Sequence, residues 1–121
     1  MSSLSEAEAE YLSNQRLGRL ATADARGRPH IVPTTFRFNP ETNTLDVGGR
    51  PPLSARKYYR NVIANGYAAF VVDDVLPPWR PRGVEIRGTV RIASSGGKQV
   101  SESFDDEVLK ISLGRVRSWG L

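Results

Sequence analysis

The stretch of residues 19–38 constrains the fold of this chain more than any other. Two runs rich in β-forming residues, 19–23 and 29–38, flank a short polar segment that contains Gly27, a pattern typical of a β-hairpin. The second run holds Pro33, which has no amide to donate to a sheet, so we expect an edge strand or a β-bulge there. Either arrangement leaves backbone groups available to a planar ligand, although an ordinary bulged edge strand is the simpler interpretation.

The remainder of the sequence predicts a mainly β protein with two helices. Ser5 and Glu8 have the spacing of a capping box, which predicts a helix over residues 6–14 with Ala7, Tyr11 and Leu12 facing inward. A second helix is expected over residues 53–65, and Asn65-Gly66 ends it. The predicted strands are residues 19–23, 29–38, 44–48, 67–72, 84–93 and 108–119, with loops at 73–83 and 94–103.

Six short strands, mostly joined by short turns, favour a closed or nearly closed antiparallel β-barrel. The length of 121 residues fits a single domain over residues 1–121. Because a core of this size is thin and two helices cover little of a sheet, we also expect a homodimer.

Positive charge is concentrated in one part of the chain. The formal net charge is +4, but residues 16–60 hold nine basic and three acidic residues, which is +6 for that segment. Such a field indicates an anionic partner, either nucleic acid or a phosphorylated small molecule, unless it only keeps the surface solvated. No recognised nucleic-acid-binding motif accompanies the charge, so we expect no nucleic-acid partner.

Several kinds of chemistry are excluded by residue content. The chain has no cysteine, which rules out disulfides, thiol nucleophiles and thiolate metal sites. His30 is the sole histidine, so a two-histidine metal site is impossible, and we expect no metal. The acidic N-terminal segment is unlike a signal peptide, and no apolar run approaches the ~20 residues of a membrane span. We therefore expect a cytoplasmic protein without membrane attachment.

One segment has the pattern of a phosphate site. Gly48-Gly49-Arg50 leads into Ser54-Ala55-Arg56-Lys57 at the start of the predicted second helix. Amides at a helix N-terminus bind phosphate well, and arginine adds a bidentate contact. Cations are slightly unfavourable in a first helical turn, which itself suggests a ligand. Trp79, in a proline-rich segment, is a second candidate because exposed aromatic residues stack on rings or join interfaces.

In their order along the chain, these segments resemble the pyridoxamine 5'-phosphate oxidase-like superfamily of split β-barrel flavin-binding proteins. The end of the chain, residues 108–121, is similar to the small branch that uses the deazaflavin coenzyme F-420. The sequence departs from the family at Tyr58, where a basic residue usually precedes the Arg60-Asn61 pair by two positions. The matching stretches are residues 17–22, 27–33, 55–57 with 60–62, 84–88, 108–111 and 115–121.

The resemblance implies a split-barrel homodimer with the cofactor at the subunit interface. Trp79 would close the site from the partner chain, and the reaction would be hydride transfer to an unsaturated organic substrate, with the protein positioning and polarising the reactants. No catalytic residue is assigned. The implied ring contacts are Val32, Pro33, Thr34 and Thr35, and the implied phosphate contacts are Arg50, Ser54, Arg56 and Lys57.

The leading hypothesis is an F-420-dependent reductase, because the phosphate and glutamates of that cofactor suit a segment of charge +6. An FMN-binding oxidoreductase on the same scaffold is the alternative. A non-catalytic flavin or tetrapyrrole carrier also remains open, and a nucleic-acid binder is permitted by the charge alone.

Overall fold

A computed structural model describes residues 3–121. Three helices and seven strands are present in this part of the chain, together with one 3-10 turn at Leu53–Ala55. The helices are α1 (Glu6–Ser13), α2 (Lys57–Asn65) and α3 (Gly97–Val100). The strands are β1 (Leu17–Ala23), β2 (Pro29–Asn39), β3 (Thr44–Val47), β4 (Tyr67–Leu76), β5 (Arg80–Ala93), β6 (Val108–Ser112) and β7 (Arg115–Trp119).

The strands form an antiparallel barrel. Their order is β4-β1-β2-β3-β6-β5-β7, and the pairing of β4 with β5 closes a ring of six strands. The seventh strand, β7, lies along β5 beyond the end of β6. Leu20, Phe70 and Ile86 fill the barrel interior, and Leu12 of α1 packs into the same core. The predicted antiparallel barrel is confirmed.

The long strand β2 divides its pairing between two neighbours. Residues 29–35 pair with β1, and residues 36–39 pair with β3 on the opposite side. We call the β3-facing side of residues 29–35 the split edge, because no strand of residues 3–121 pairs with it. Pro33 lies on this half of β2, and the register with β1 runs through it without a bulge. The expectation of an edge at Pro33 is confirmed, and that of a bulge is wrong.

The second predicted helix is divided. The 3-10 turn Leu53–Ala55 comes first, and α2 begins only at Lys57, since Arg56 between them is extended with φ −76° and ψ 143°. In α1 the capping box is present as predicted, but Ala7 is exposed rather than inward. The extended backbone at Arg56 turns the chain between the two helical segments and sets where that side chain emerges.

The predicted loop over residues 73–83 is largely a β-hairpin. Strands β4 and β5 continue pairing as far as Leu76 and Arg80. Arg82 of β5 donates two hydrogen bonds, of 2.8 and 3.0 Å, to the Asp74 carboxylate of β4. Tyr11 of α1 donates to the same carboxylate at 3.0 Å. The prolines of this segment had suggested a loop. Contacts across the hairpin and to α1 stabilise it as two paired strands instead.

The C-terminal region also differs from expectation. Instead of one strand, β6 and β7 are separated at Leu113 and Gly114, so that each pairs with a different part of β5. The short helix α3 lies within the segment predicted as a loop. No helix within residues 3–121 is long and apolar enough to cross a lipid bilayer.

Candidate functional site

A cleft of about 380 Å³ opens where β2 and β3 diverge. One wall is the split edge, and the other comes from the chain that leaves β3 and from the start of α2. Its lining residues are Leu17, Val32, Pro33, Thr34, Thr35, Gly48, Gly49, Arg56, Tyr58 and Phe104.

The wall formed by β2 offers polar groups without intramolecular partners. Strand pairing between β2 and β3 begins at Phe36 and Val47, so the backbone of residues 32–35 has no strand on its cleft side among residues 3–121. The Thr34 hydroxyl is buried and has no hydrogen-bond partner within the described chain. An unsatisfied buried hydroxyl is unfavourable by about 1–3 kcal/mol. Polar atoms of this kind at a cleft wall are suited to a bound polar ligand.

The opposite wall requires glycine. A Cβ atom on Gly48 would lie 2.8 Å from Cδ2 of Phe104, and one on Gly49 would lie 2.6 Å from the Tyr58 hydroxyl. Tyr58 is buried and donates a hydrogen bond of 3.2 Å to the Gly48 carbonyl. Burial raises the pKa of Tyr58, and the positive charge of Arg56 opposes that rise. The glycines therefore allow two aromatic side chains to approach the backbone and shape the cleft.

The start of α2 supplies positive charge. Arg56 is the N-cap residue, and no side chain within residues 3–121 caps the helix amides. Nη2 of Arg56 donates to the carbonyl of Arg50 at 3.2 Å, which orients the guanidinium. Lys57 follows in the first turn and is exposed. Uncapped helix amides beside two cations are suited to an anion such as phosphate. Tyr58, which follows Lys57, is buried, so Lys57 is the more accessible of the two side chains.

The structure brings some predicted site residues together and leaves others outside the cleft lining. Val32, Pro33, Thr34, Thr35 and Arg56 line one cleft. The remaining predicted residues, Arg50, Ser54, Lys57 and Trp79, are exposed and lie outside that lining.

Trp79 lies at the turn between β4 and β5, where 75% of its surface is exposed. It does not line the cleft of its own chain. A contact between Trp79 and a ligand in that cleft would come from a second subunit, and it stays a prediction.

The segment that follows α3 also builds the site, which sequence reasoning missed. The Asp105 carboxylate accepts a hydrogen bond of 2.8 Å from the Leu53 amide, and the Asp105 amide donates at 2.8 Å to the Gly49 carbonyl. The bond from the Leu53 amide is the main cause of a pKa for Asp105 below its ordinary value. Asp105 thereby fixes both ends of the connection that leads to Arg56. The acidic run 105–107 was its only sequence signal, and that run does not reveal its partners.

Comparison with known proteins agrees with this architecture. The family model for pyridoxamine 5'-phosphate oxidase matches residues 4–120. A Streptomyces rimosus subsp. rimosus protein named 5a,11a-dehydrotetracycline/5a,11a-dehydrooxytetracycline reductase is 40% identical over 116 residues, covering 94% of this chain and 81% of the relative.

Two solved structures share the fold at low sequence identity. A conserved hypothetical protein from Mycobacterium tuberculosis superposes with a TM-score of 0.77 at 20% identity, covering 97% of this chain and 85% of the other. An F-420 reductase gives a TM-score of 0.71 at 22% identity, covering 94% and 98%. These structures confirm the split-barrel fold. The family model and the relative at 40% identity confirm the family resemblance. The chain belongs to the pyridoxamine 5'-phosphate oxidase family.

Proposed function

We propose that this protein is a reductase that uses F-420 and transfers a hydride to an unsaturated small organic substrate. Family membership and 40% identity to a named reductase support an oxidoreductase. The observation that carries the proposal is the cleft itself, which joins the split edge of β2 to a cationic, uncapped helix start. The long charged tail of F-420 favours it over FMN, because residues 16–60 carry a charge of +6.

The residues of the cleft fit the ring of a deazaflavin or flavin. When bound, the cofactor supplies the hydride chemistry. The backbone groups of residues 32–35 are free on the cleft side among the described residues, and they can meet the polar edge of a heteroaromatic ring. The Thr34 hydroxyl can add one further hydrogen bond, while Val32 and Pro33 offer apolar contact to the ring face. These residues orient the ring and exclude water from one side of it.

The phosphate is assigned to the start of α2. Arg56 lines the cleft, and the neighbouring residues Arg50, Ser54 and Lys57 of the segment from β3 to α2 are exposed. Charge-assisted hydrogen bonds from these side chains and the uncapped amides would hold the phosphate. Glutamates of the tail would then meet further positive charge at the surface.

A homodimer completes the proposed site. Leu17 and Pro33 of the cleft lining are exposed, as is Ile31 beside it, and large exposed apolar side chains in one region favour a protein interface. The partner subunit could then bring its hairpin tip to this cleft. An obligate interface should bury roughly 2,000 Å² or more. Sedimentation velocity should show a dimer at micromolar concentration, and a stable monomer would contradict this part of the proposal.

The relative at 40% identity supports the substrate class that we propose. Its name specifies reduction of dehydro forms of a tetracycline. We therefore propose a fused-ring organic substrate with a reducible carbon–carbon double bond. The cleft contributes Leu17 and Phe104 as apolar surface for such a substrate.

Cofactor titration tests the proposal. Purified protein is titrated with F-420 and, separately, with FMN, and binding is followed by the fluorescence of each cofactor. Tighter binding of F-420 is expected. Preference for FMN would replace the cofactor assignment with the FMN alternative, and binding of neither cofactor would overturn the proposed function. Oxidation of reduced F-420 by a fused-ring enone, followed at the F-420 absorption band, then distinguishes a reductase from a carrier.

A further inference from the structure

A second cavity adjoins the cleft along β2. Its volume is about 440 Å³, and its lining residues are Arg19, Ile31, Val32 and Pro33. Val32 and Pro33 also line the cleft, so the two cavities adjoin along this part of the split edge. We call the second cavity the β2 pocket. Its volume falls within the ~300–1,000 Å³ of small-molecule sites.

The pairing of β1 with β2 places the charged residue of the β2 pocket. Arg19 of β1 is directly opposite Pro33 of β2, so both side chains project from the same face of the sheet. Ile31, two positions before Pro33, projects from that face as well. This is the outer face of the barrel, because Leu20, next to Arg19, projects the other way into the core. The Arg19 side chain therefore borders the pocket together with two exposed apolar residues.

An ion pair orients the Arg19 guanidinium. Its Nη1 atom donates a hydrogen bond of 2.7 Å to Oδ1 of Asp73 on β4. The Arg19 side chain nevertheless remains 49% exposed. A guanidinium has five N–H donors, and the bond to Asp73 uses one of them. Arg19 can therefore donate a further hydrogen bond to an oxygen atom of a ligand in the pocket while Asp73 holds it in place.

The proposed reaction needs a substrate site beside the ring of the cofactor. A substrate that accepts hydride must lie against that ring, which we have proposed to lie along residues 32–35. The β2 pocket shares part of this wall with the cleft, and Leu17 of the cleft lining projects from the same face as Arg19. Ile31 and Pro33 are also among the apolar residues proposed for the dimer interface, so a partner subunit would enclose a substrate bound there.

We propose that the substrate extends from the cleft into the β2 pocket, and that Arg19 donates a hydrogen bond to the carbonyl oxygen of a fused-ring enone. This inference rests on the proposed function. Hydride from the reduced cofactor adds to the β-carbon of the enone, the carbon–carbon π-bond breaks, and its electron pair moves to the carbonyl oxygen as an enolate. Water then supplies a proton to the α-carbon, so the former double bond has gained two hydrogens. A cation at the carbonyl oxygen stabilises the negative charge that develops there.

Steady-state kinetics with reduced F-420 test this role, and the probe is 5a,11a-dehydrotetracycline, a compound in the name of the relative at 40% identity. Arg19→Met should lower kcat/KM for this probe about tenfold or more, the loss expected of one charge-assisted hydrogen bond, and should leave F-420 affinity unchanged. The variant should keep its melting temperature, since an exposed ion pair contributes little to stability. Arg26→Met removes the same charge from an exposed position of the turn between β1 and β2, and it should change neither quantity.

Equilibrium binding keeps the test independent of turnover. Tetracycline is titrated by calorimetry into the native protein and into Arg19→Met, both with F-420 bound and without it, and the variant should bind it several-fold more weakly. Equal tetracycline affinities, no tetracycline binding by the native protein, or a loss of kcat/KM in Arg26→Met equal to that in Arg19→Met would overturn the inference. The proposed cofactor site would still stand if F-420 binds. Failure of the native protein to bind F-420 would instead overturn the proposed function, and the titration without cofactor would still decide whether Arg19 binds a fused-ring ligand.

Discussion

The two halves of β2 differ in how far hydrogen bonds satisfy the polar groups along them. Beside the half that pairs with β3, Asp46 is almost fully buried, and three hydrogen bonds satisfy its carboxylate. Along the other half, the Thr34 hydroxyl and the His30 Nδ1 atom are buried without a partner in residues 3–121. The first arrangement stabilises the barrel by itself, whereas the second leaves bonds for a ligand to make. The Nη1 atom of Arg37 is the exception on the paired half, since it is buried without a partner among residues 3–121.

The largest effect is expected on the paired half. Lys110→Met should lower the free energy of unfolding by about 3–5 kcal/mol, because it leaves the Asp46 carboxylate buried without its countercharge. Chemical denaturation measures this loss. Lys98→Met is the matched control, since its pair with Asp106 is exposed and 3.9 Å long, and it should change stability by less than about 1 kcal/mol. Similar losses for both variants would mean that the buried pair stabilises the fold no more than the exposed pair does.

The second effect concerns the split half and affects binding rather than folding. Replacing both Arg56 and Lys57 with alanine should weaken F-420 binding on the order of a hundredfold, since each charge-assisted bond contributes about 1.5–3 kcal/mol. The melting temperature should change little, because both side chains are exposed. Binding to the native protein should also weaken as salt is added.

A control separates this specific effect from net charge. Alanine at Arg16 and Arg91 removes the same charge from two exposed positions outside the cleft lining. This variant should bind F-420 nearly as the native protein does. Unchanged affinity in the Arg56 and Lys57 variant would remove both residues from the site, and lost affinity with a collapsed melting curve would leave them a structural role only.

A matched pair of threonines compares satisfied and unsatisfied hydroxyls directly. Thr22→Val should destabilise the protein by about 1–3 kcal/mol, because the Thr22 hydroxyl accepts a buried hydrogen bond of 3.0 Å from Asn61. Thr34→Val should stabilise the protein by up to about 1–3 kcal/mol, because it removes the unsatisfied hydroxyl, and should weaken cofactor binding several-fold, about tenfold at most. Thermal melts and cofactor titrations of both variants measure this. Destabilisation by Thr34→Val equal to that by Thr22→Val would contradict the distinction.

The smallest effect lies in the turn between β1 and β2. The Asp24 carboxylate accepts hydrogen bonds from the Arg28 amide, the Arg28 side chain and the Arg26 amide, and these lower its pKa to about 2 from an ordinary value of 3.8. Because the folded-state pKa is lowered, the stabilisation is present above about pH 4 and is lost as the pH falls towards 2. Asp24→Asn should therefore be less stable than the native protein at pH 6, with the gap narrowing below pH 4. A gap that is independent of pH would contradict this assignment.

Local sequence patterns predicted the parts of the fold that depend on local contacts. The capping box of Ser5 and Glu8 and the hairpin around Gly27 satisfy their own backbone groups within a few residues. Pro33 likewise marked the unpaired side of β2, because proline has no amide to donate. The family resemblance then predicted as site residues four positions of β2 that the structure places in one cleft.

Other features depend on contacts between distant residues and could not be predicted. Asp105 reaches Leu53 across 52 positions of the chain, and Tyr11 reaches Asp74 across 63. The unsatisfied atoms of Thr34 and Arg37 are visible only when every neighbour is placed around them, within the part of the chain that the structure describes. The segment that leads to Arg56, where the second helix divides, is held by the long-range hydrogen bonds of Asp105 to Leu53 and Gly49.

Backbone amide chemical shifts recorded during an F-420 titration test the contrast between the two halves of β2 most directly. We expect the largest shifts at Val32, Thr34, Thr35 and Gly49, with Thr44, Asp46 and Lys110 nearly unchanged. Largest shifts in the second group, or no shifts at a saturating cofactor concentration, would contradict it.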